Sequence, residues 1–571
     1  MKKTNYEIGK EIADQIDANI IEVLQAEKSF RVEAGAGAGK TYSLHKVIEW
    51  IDKNKAASYK KGGKQVACIT YTNAAADVIA SRISSRFIVP STIHAFIWDN
   101  ICNFQLPLIT AVKECNLLPE GYTLDKIHRV TYDLGIRYVG EEGTLHLFHN
   151  DIVELFIWFL QHIKFRRLLA DRYPIILIDE YQDSFKCITD LLLEHYIENN
   201  CGPQFGFFGD AWQTIYSNNG ACGLIQSDKL IEIKKEANFR SQKVIVDVLN
   251  RIRPNLPQRS AVNEEDGEVV VITTNDYSGA RSNERYFKGE LPDDVLSSYI
   301  SSVQEKLSRK GWGEVDKTLM LTHRLLAKQQ DYQKLREVLG DHLHDQDDEH
   351  YLFFRDYIEP LFAALEQKDA KRLYDVLGIV RQPIETKSQK KKWKDLLDKL
   401  GIARKGTIFD VLRVALSSGL IPILPKMEAA FEHYLEDENT PFHETTLKYF
   451  YNIRYSEVLH AIEFFKDDSL YSTDHGVKGE EYDNVLFVMG RGWNLYKFED
   501  ILWKDENNLS GKELDAYIRN RNLFYVCCSR PRKRLALLIT VEIGAEFQKY
   551  LQEVFGAENI VPYNIFINQD K

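Results

Sequence analysis

Two short stretches carry residues whose types and spacing could do chemistry. The first is Ala34-Gly35-Ala36-Gly37-Ala38-Gly39-Lys40-Thr41, which follows the strand-like run FRVE and precedes a helical pattern starting at about Lys40. Residues this small let backbone N–H groups close around phosphate oxygens, where a Cβ at a turning position would obstruct the approach. Lys40 supplies a cation for β- and γ-phosphates, and the Thr41 hydroxyl a ligand for a magnesium ion. The strict pattern G-x-x-x-x-G-K-[ST] is missed by one methyl group, at Ala34. The second stretch is PIILIDEYQDS, where an apolar run ends in Asp179 and Glu180. Open α/β sheets place ligand chemistry at the C-terminal ends of their strands. There Asp179 would hold magnesium through its water shell, and Glu180 would polarise an attacking water. An acid pair ending a strand is by itself a common solvated turn; the phosphate loop upstream gives it its meaning.

The elements that must position these residues alternate. FRVEA, QVACITYT, PIILID and FGFFGD are short β-rich runs separated by amphipathic segments, a rhythm that predicts βαβ units and a parallel sheet. A second set, EVVVITT (268–274), TLMLTH (318–323), NVLFVMG (484–490) and LALLIT (535–540), predicts another sheet, with a gap of about 160 residues after His323. The acidic DHLHDQDDEH (341–350) reads as a solvated boundary, and 350–465 as a helical insert. Residues from about 97 to 172 likewise read as helical, between two strands of the first sheet.

Bulk chemistry bounds the function. The chain has 571 residues, enough for about four domain-sized units, which excludes a single small binding module. A net charge of −11 argues against a protein that coats nucleic acid by bulk attraction, though not against a local basic channel. Charge interrupts the N-terminal MKKTNYEIGKEIADQ, and no run of about 18 apolar residues occurs, so neither a secretory signal nor a membrane span is expected, and the cytoplasm is. Eight cysteines without a C-x-x-C pair read as reduced thiols.

Eight motifs, in order, resemble those of the UvrD/Rep/PcrA-like superfamily 1 DNA helicases. AGAGAGKT is similar to that family's first motif, CITYTNAAADVIASRI to its TFTNKAA, STIHAF to its T-x-H motif and DEYQD to its Walker B. GDAWQTIY resembles GDxxQSIY, NFRS resembles NYRS, TDHGVKGEEYDNV resembles TLHSAKGLEF, and YVCCSRPRKRL the YVGVTRA segment. The resemblance implies two RecA-like P-loop motor domains with parallel sheets, each carrying a helical inserted subdomain, with ATP and Mg²⁺ between them. On this basis the first motor domain comprises 1–96 and 173–235 around an insert at 97–172. The second comprises 236–340 and 466–571, the latter ending in a C-terminal tail, around an insert at 341–465. By the same likeness Gln213 senses the γ-phosphate, Arg240 and Arg530 reach it across the cleft, Phe239 stacks on adenine and Glu481 faces the ribose. A guanidinium that arrives only on closure would compensate the charge spread over the equatorial oxygens. Tyr71, Thr72, Asn73, His94, Tyr216, His475 and Lys478 fall at motif positions that imply contact with single-stranded DNA, where aromatic faces stack on any base.

The pattern departs from the family in places. After GDAWQTIY the family continues R-W-R-G, with a base-stacking tryptophan; this chain reads Ser217-Asn218-Asn219-Gly220, and its Trp212 lies elsewhere in the motif. Gln15 and Gln25 are badly spaced from Lys40 for an adenine-reading glutamine. The basic cluster Lys387 to Lys405 could touch duplex backbone or simply be a solvated helix face. The expected function is an ATP-dependent helicase moving 3′ to 5′ on single strands and at single-strand/duplex junctions, without a membrane partner. The rival is a DNA-sensing ATPase subunit that switches a partner nuclease, since compact UvrD-like chains resemble the helicase subunits of Gabija-type phage defence, which act beside an OLD-type nuclease. An RNA-directed motor is weaker, because nothing in the chain distinguishes a 2′-hydroxyl.

Overall fold

The computed structural model describes residues 3–569 apart from 84, 120, 133–136, 141–142, 215–219, 285–286, 321–326, 328–329, 341–342, 344–347, 370–371, 374–375, 377–385, 420, 422–426, 428–430, 432–447, 466–470, 474–479 and 492–495. Its strands run in order β1 (Phe30–Ala34), β2 (Val66–Thr70), β3 (Ile88–Thr92), β4 (Arg129–Tyr132), β5 (Tyr138–Val139), β6 (Thr144–Leu147), β7 (Ile175–Asp179), β8 (Gln204–Gly209) and β9 (Ile231–Lys235). They continue with β10 (Ala237–Asn238), β11 (Arg259–Ser260), β12 (Glu268–Thr273), β13 (Lys317–Met320), β14 (Tyr471–Thr473), β15 (Tyr482–Met489), β16 (Pro531–Ile539) and β17 (Ile560–Pro562).

Two six-stranded parallel sheets organise the molecule into two lobes. The first has the order β3-β2-β7-β8-β1-β9, the second β14-β13-β15-β16-β12-β17. Numbered within its own lobe, each sheet has the same order, so β12 takes in the second lobe the place that β1 takes in the first. Helices cover both faces, which is why β1, β2 and β7 are buried at every position while the edge strand β9 alternates. Glu33 of β1 pairs in register with Gly209 of β8, and Asp179 of β7 with Phe208. Three strand ends thus lie side by side: the Gly-rich loop leaves β1, the acids end β7, and Asp210 follows β8.

Between β13 and β14 the longer elements among the described residues are helices, including Glu359–Gln367, Lys387–Ala403, Ile408–Ser418 and Tyr455–Phe464. They share one core with the second sheet, where Leu396, Leu400 and Val411 join Ile272, Met320 and Val488. The expected boundary at 341–350 lies partly outside the described residues; of those described, Leu343 is buried, and Asp348 caps the helix beginning at Glu349 by accepting from Tyr351 N at 2.9 Å. The stretch 541–571, read as a tail, contributes β17 to the second sheet beside β12.

The reading of 97–172 as helical needs correction. Helices Ile93–Ile101, Gln105–Glu114, His149–Leu160 and Ile163–Arg172 are present, but between them β4, β6 and β5 form a three-stranded sheet. Alternation explains it: Val130, Leu145 and Leu147 are buried in the first lobe's core while Arg129 is exposed, a period of two rather than 3.6.

All eight cysteines are free thiols. No helix among the described residues is long and apolar enough to cross a membrane.

Candidate nucleotide site at the seam between the lobes

Gly37 and Gly39 have φ of +73° and +72°, values that L side chains rarely adopt, and Gly39 leads directly into the helix Lys40–Gly62. The loop is small for a second reason. A Cβ on Gly37 would lie 2.6 Å from Arg240 Cβ and 2.7 Å from Asn238 Oδ1, and one on Gly35 would lie 2.9 Å from the Gln258 amide group. All three neighbours belong to the segment that opens the second lobe. Phe239 N donates to Gly37 O at 2.9 Å, Asn238 Nδ2 to Ala36 O at 2.9 Å and Gln258 Nε2 to the same oxygen at 3.2 Å. Ala36 N in turn donates to Tyr525 Oη at 3.3 Å, from the helix Gly511–Cys528. Ala34, Ala36 and Ala38 are buried beneath this clasp.

Inside the loop, Lys40 Nζ lies 2.6 Å from Glu180 Oε1. Burial works against the ammonium, but Glu180 and then Asp179 hold its pKa above the ordinary lysine value. Burial, and then Glu180, push the Asp179 carboxyl up to about 7 while Lys40 draws it down. Glu180 adopts φ of +50°, unusual for a non-glycine residue, and its N–H donates to Asp179 Oδ1 at 3.1 Å. Thr41 is exposed on the first turn of its helix. The donor set fits a nucleotide with a hard cation: left-handed glycines where phosphate would approach, one buried ammonium, and hydroxyl and carboxylate oxygens of the kind magnesium takes. The corresponding helix after β12 begins Pro292-Asp293-Asp294. Two acids on that first turn already answer the helix dipole and would repel phosphate.

The motif residues around this centre have specific partners. Gln213 is buried and donates through Nε2 to Asp210 Oδ2 at 2.8 Å. Arg240 lies beside the loop, but its Nε donates to Glu481 Oε2 at 2.7 Å. Glu481 also accepts from Arg532 Nη2 at 2.6 Å; burial opposes its ionisation, yet Arg532 and Arg240 hold its carboxyl below the usual range. Glu481 is therefore an arginine clamp here rather than a free ribose acceptor. Arg530 is fully buried and donates from Nε to Val526 O, from Nη1 to Glu480 O and from Nη2 to Ser529 Oγ, at 3.0, 3.1 and 2.8 Å. Burial, then the Arg240 charge, push it down to about 10. It lies within the seam, its guanidinium bridging the end of the helix Gly511–Cys528 and the Glu480 carbonyl. Phe239 is partly exposed and makes an edge contact with Tyr6, ring centroids 6.2 Å apart.

Of the residues expected to touch DNA, Tyr71, Thr72 and Asn73 lie together and exposed at the C-terminal end of β2, where the Thr72 hydroxyl caps the helix Asn73–Arg82 by accepting from Ala75 N. His94 follows the end of the neighbouring strand β3 and sits in a ring cluster, centroids 4.4 Å from His149 and 5.5 Å from Phe185. Burial, then His149, push it down to about 4, so it is neutral near pH 7. Tyr216, His475 and Lys478 lie outside the described residues, as does the Ser217-Asn218-Asn219 departure. In the basic cluster, Lys387, Lys390, Lys391 and Lys392 are exposed while Leu396 and Leu400 turn inward, an amphipathic helix with a solvated basic face.

Sequence reasoning missed the residues that join the lobes. Arg253, at the end of the helix Lys243–Ile252, donates from Nη1 to Asp210 Oδ1 at 2.6 Å and from Nη2 to Glu33 Oε1 at 2.8 Å. Trp212 lies between two cations, 3.9 Å from the Arg521 guanidinium and 5.2 Å from that of Arg253. The sequence signal on offer was Glu33, a charge in a strand-like run just before the phosphate loop; nothing marked Arg253.

An AAA domain matches residues 17–219. Two proteins of Bacillus cereus described as "Gabija protein GajB" align with nearly the whole chain. That of strain HuB5-5 is 23% identical, covering 92% of this chain and 94% of its own length, and that of strain VD045 is 23% identical, covering 93% and 97%. A "Probable DNA helicase II homolog" of Mycoplasma capricolum is 23% identical over 56% of this chain and half of its own. With a phosphate loop, acid pair and arginines gathered at one seam, and likeness to DNA helicase II homologues as well as to these full-length relatives, the chain is similar to the UvrD-like superfamily 1 helicases, a family of ATPases.

Proposed function

We propose that the protein is an ATP-dependent DNA helicase or translocase that moves 3′ to 5′ along single-stranded DNA and hydrolyses ATP in the seam between its lobes. The observation that carries this reading is the clasp of the second lobe on the phosphate loop, through Phe239, Asn238 and Gln258 to the backbone of Gly37 and Ala36. A phosphate entering that loop meets a backbone already bonded to the second lobe, so binding and lobe movement share the same atoms. Lys40 would neutralise β- and γ-phosphate oxygens, exchanging Glu180 for them. Glu180, released, would take the proton of the attacking water, and Gln213 would orient that water. Magnesium, held by Thr41 and Asp179, would add neutralising charge. Arg240 would turn from Glu481 to the phosphate as charge develops, and Arg530 would back it from the same helix end. Tyr71, Thr72 and Asn73 would form part of the strand track, and the cytoplasm is the expected location.

The test is steady-state ATP turnover with and without single-stranded DNA, together with displacement from 3′-tailed and 5′-tailed duplexes. Stimulation by single strands and displacement from the 3′-tailed substrate alone are expected; a rate that no polynucleotide raises would defeat the motor reading. Two observations favour a second reading, a DNA-sensing ATPase subunit that regulates a partner nuclease without extensive unwinding. The full-length relatives are Gabija proteins, and Trp212 is packed between lobes rather than offered to a base. DNA-stimulated turnover without displacement would identify it.

A further inference from the structure

Glu33 and Asp210 bring two carboxylates together at the C-terminal ends of neighbouring strands, β1 and β8, and both side chains are buried. Such a pair cannot stay ionised without a cation. Burial, and then the Asp210 charge, raise the Glu33 pKa. Arg31 of the same strand as Glu33 lies 3.7 Å from Glu33 Oε2, but the charge that hydrogen-bonds both acids comes from the other lobe. Arg253 sits at the end of a helix that packs on β12 and β16, is 3% exposed, and grips one oxygen of each acid. The rings of Trp212 and Tyr525 flank its guanidinium at 5.2 and 5.5 Å.

What Arg253 holds is connected to the reacting centre by two routes. Asp210 Oδ2 accepts from Gln213 Nε2 at 2.8 Å. Asp210 N donates to Gln182 Oε1 at 3.1 Å, and Gln182 Nε2 donates to Glu180 Oε2 at 2.6 Å. Glu33, one residue before the phosphate loop, is fixed on its other side by Tyr181 Oη at 2.6 Å, from the residue after Glu180. The side chains expected to orient and activate water are thus braced against an acid pair whose cation belongs to the second lobe.

We propose that Arg253 is a positioning residue for ATP hydrolysis: by docking its fork between Glu33 and Asp210 it fixes Gln213 and Glu180 in their working geometry only when the lobes are together. This rests on the hydrolytic reading above. The Arg253 fork is occupied by Asp210 and Glu33, so it acts through Asp210. A bidentate guanidinium suits two carboxylates on adjacent strands, and the single-point ammonium of lysine does not.

The experiment measures kcat and KM for ATP, with saturating single-stranded DNA, for Arg253→Lys, Arg253→Gln and the double variant Glu33→Gln/Arg253→Gln, alongside their thermal midpoints. Loss of orientation predicts that Arg253→Gln lowers kcat by about tenfold or more while KM stays within about threefold, with Arg253→Lys intermediate. The double variant removes one of the two stranded charges, so it recovers the thermal midpoint but not kcat, because Asp210 still lacks its clamp. Wild-type kcat in both single variants, a loss confined to KM, or recovery of kcat together with the midpoint would overturn the assignment. A Lys40→Ala control separates the two levels. If that variant turns over ATP normally, the hydrolytic reading itself has failed; if it is dead while the Arg253 variants are normal, only the positioning role has.

Discussion

Lys40 and Glu180 form an ion pair of 2.6 Å at the mouth of the phosphate loop, and Asp179 is the acid next to it. The pair keeps the loop's cation and the candidate base in contact until phosphate competes for the lysine. Lys40→Ala removes the cation that draws the Asp179 carboxyl down, as well as the charge meant for phosphate. Turnover is expected to fall by at least about 100-fold. Glu180→Gln keeps size and hydrogen bonding but cannot accept the proton; nucleotide binding measured by fluorescence should persist while turnover drops about 100-fold or more. Hydrolysis at the wild-type rate by Glu180→Gln would remove that residue from its role.

The two arginines of the seam should respond differently. Arg240 has one ion pair, to a partly exposed Glu481, so Arg240→Ala should reduce turnover while moving the thermal midpoint little. Arg530 satisfies the carbonyls of Val526 and Glu480 and the hydroxyl of Ser529 from a fully buried position. Val526 O keeps its Ser529 N and Oγ donors, so Arg530→Ala should lose turnover and also destabilise the second lobe by about 1–3 kcal/mol through the Glu480 carbonyl it strands. Calorimetry of the two variants side by side checks this contrast; equal midpoints would show that the bonds at Arg530 contribute nothing.

What the sequence makes legible follows from locality. PIILID and NVLFVMG read as strands because parallel strands covered on both faces are continuous apolar runs. The phosphate loop and the acids read as a site because each is a contiguous segment at a strand end. The three-stranded sheet at 129–147 escapes because its strands are two to four residues long and apolar only at alternate positions, too short for a period to declare itself. Arg253 and Glu33 escape for a different reason: they are 220 residues apart, and a charged letter in a sequence does not say whether it will be buried. The same holds for Arg530, whose motif position implied a reach towards phosphate but did not show that its guanidinium would be buried against the carbonyls of Val526 and Glu480.

Acid should weaken the contact between the T-x-H segment and the insert. His94 is pushed down to about 4, and His149, whose ring lies against it at a tilt and which bonds Tyr132 Oη, is also below its ordinary value through burial. In the unfolded chain both would titrate near about 6.5. The folded state therefore binds their protons later, so this contribution is complete above about pH 6.5 and is lost as pH falls towards 4. In His94→Phe the decline of the thermal midpoint over that range should be shallower than in the wild type. Parallel slopes would mean that His94 does not carry the effect.

Gly37 is where phosphate geometry and lobe docking make the same demand. Its φ of +73° would cost an alanine about 1–2 kcal/mol in backbone strain. The added methyl would also lie 2.6 Å from Arg240 Cβ and 2.7 Å from Asn238 Oδ1, neither of which is the free end of a long side chain. The Asn238 carboxamide cannot simply withdraw, because its oxygen also accepts from Arg240 N and Ser241 N at 2.9 Å each. Gly37→Ala should accordingly push the second lobe off the loop, lowering nucleotide affinity and turnover together with the thermal midpoint. Gly63→Ala serves as the control, since its φ of +65° imposes a similar backbone cost with nothing within 4 Å of the new methyl group. If both variants lost the same stability and kept the same turnover, the loop would be shaped by backbone strain alone and the clasp would have no part in it.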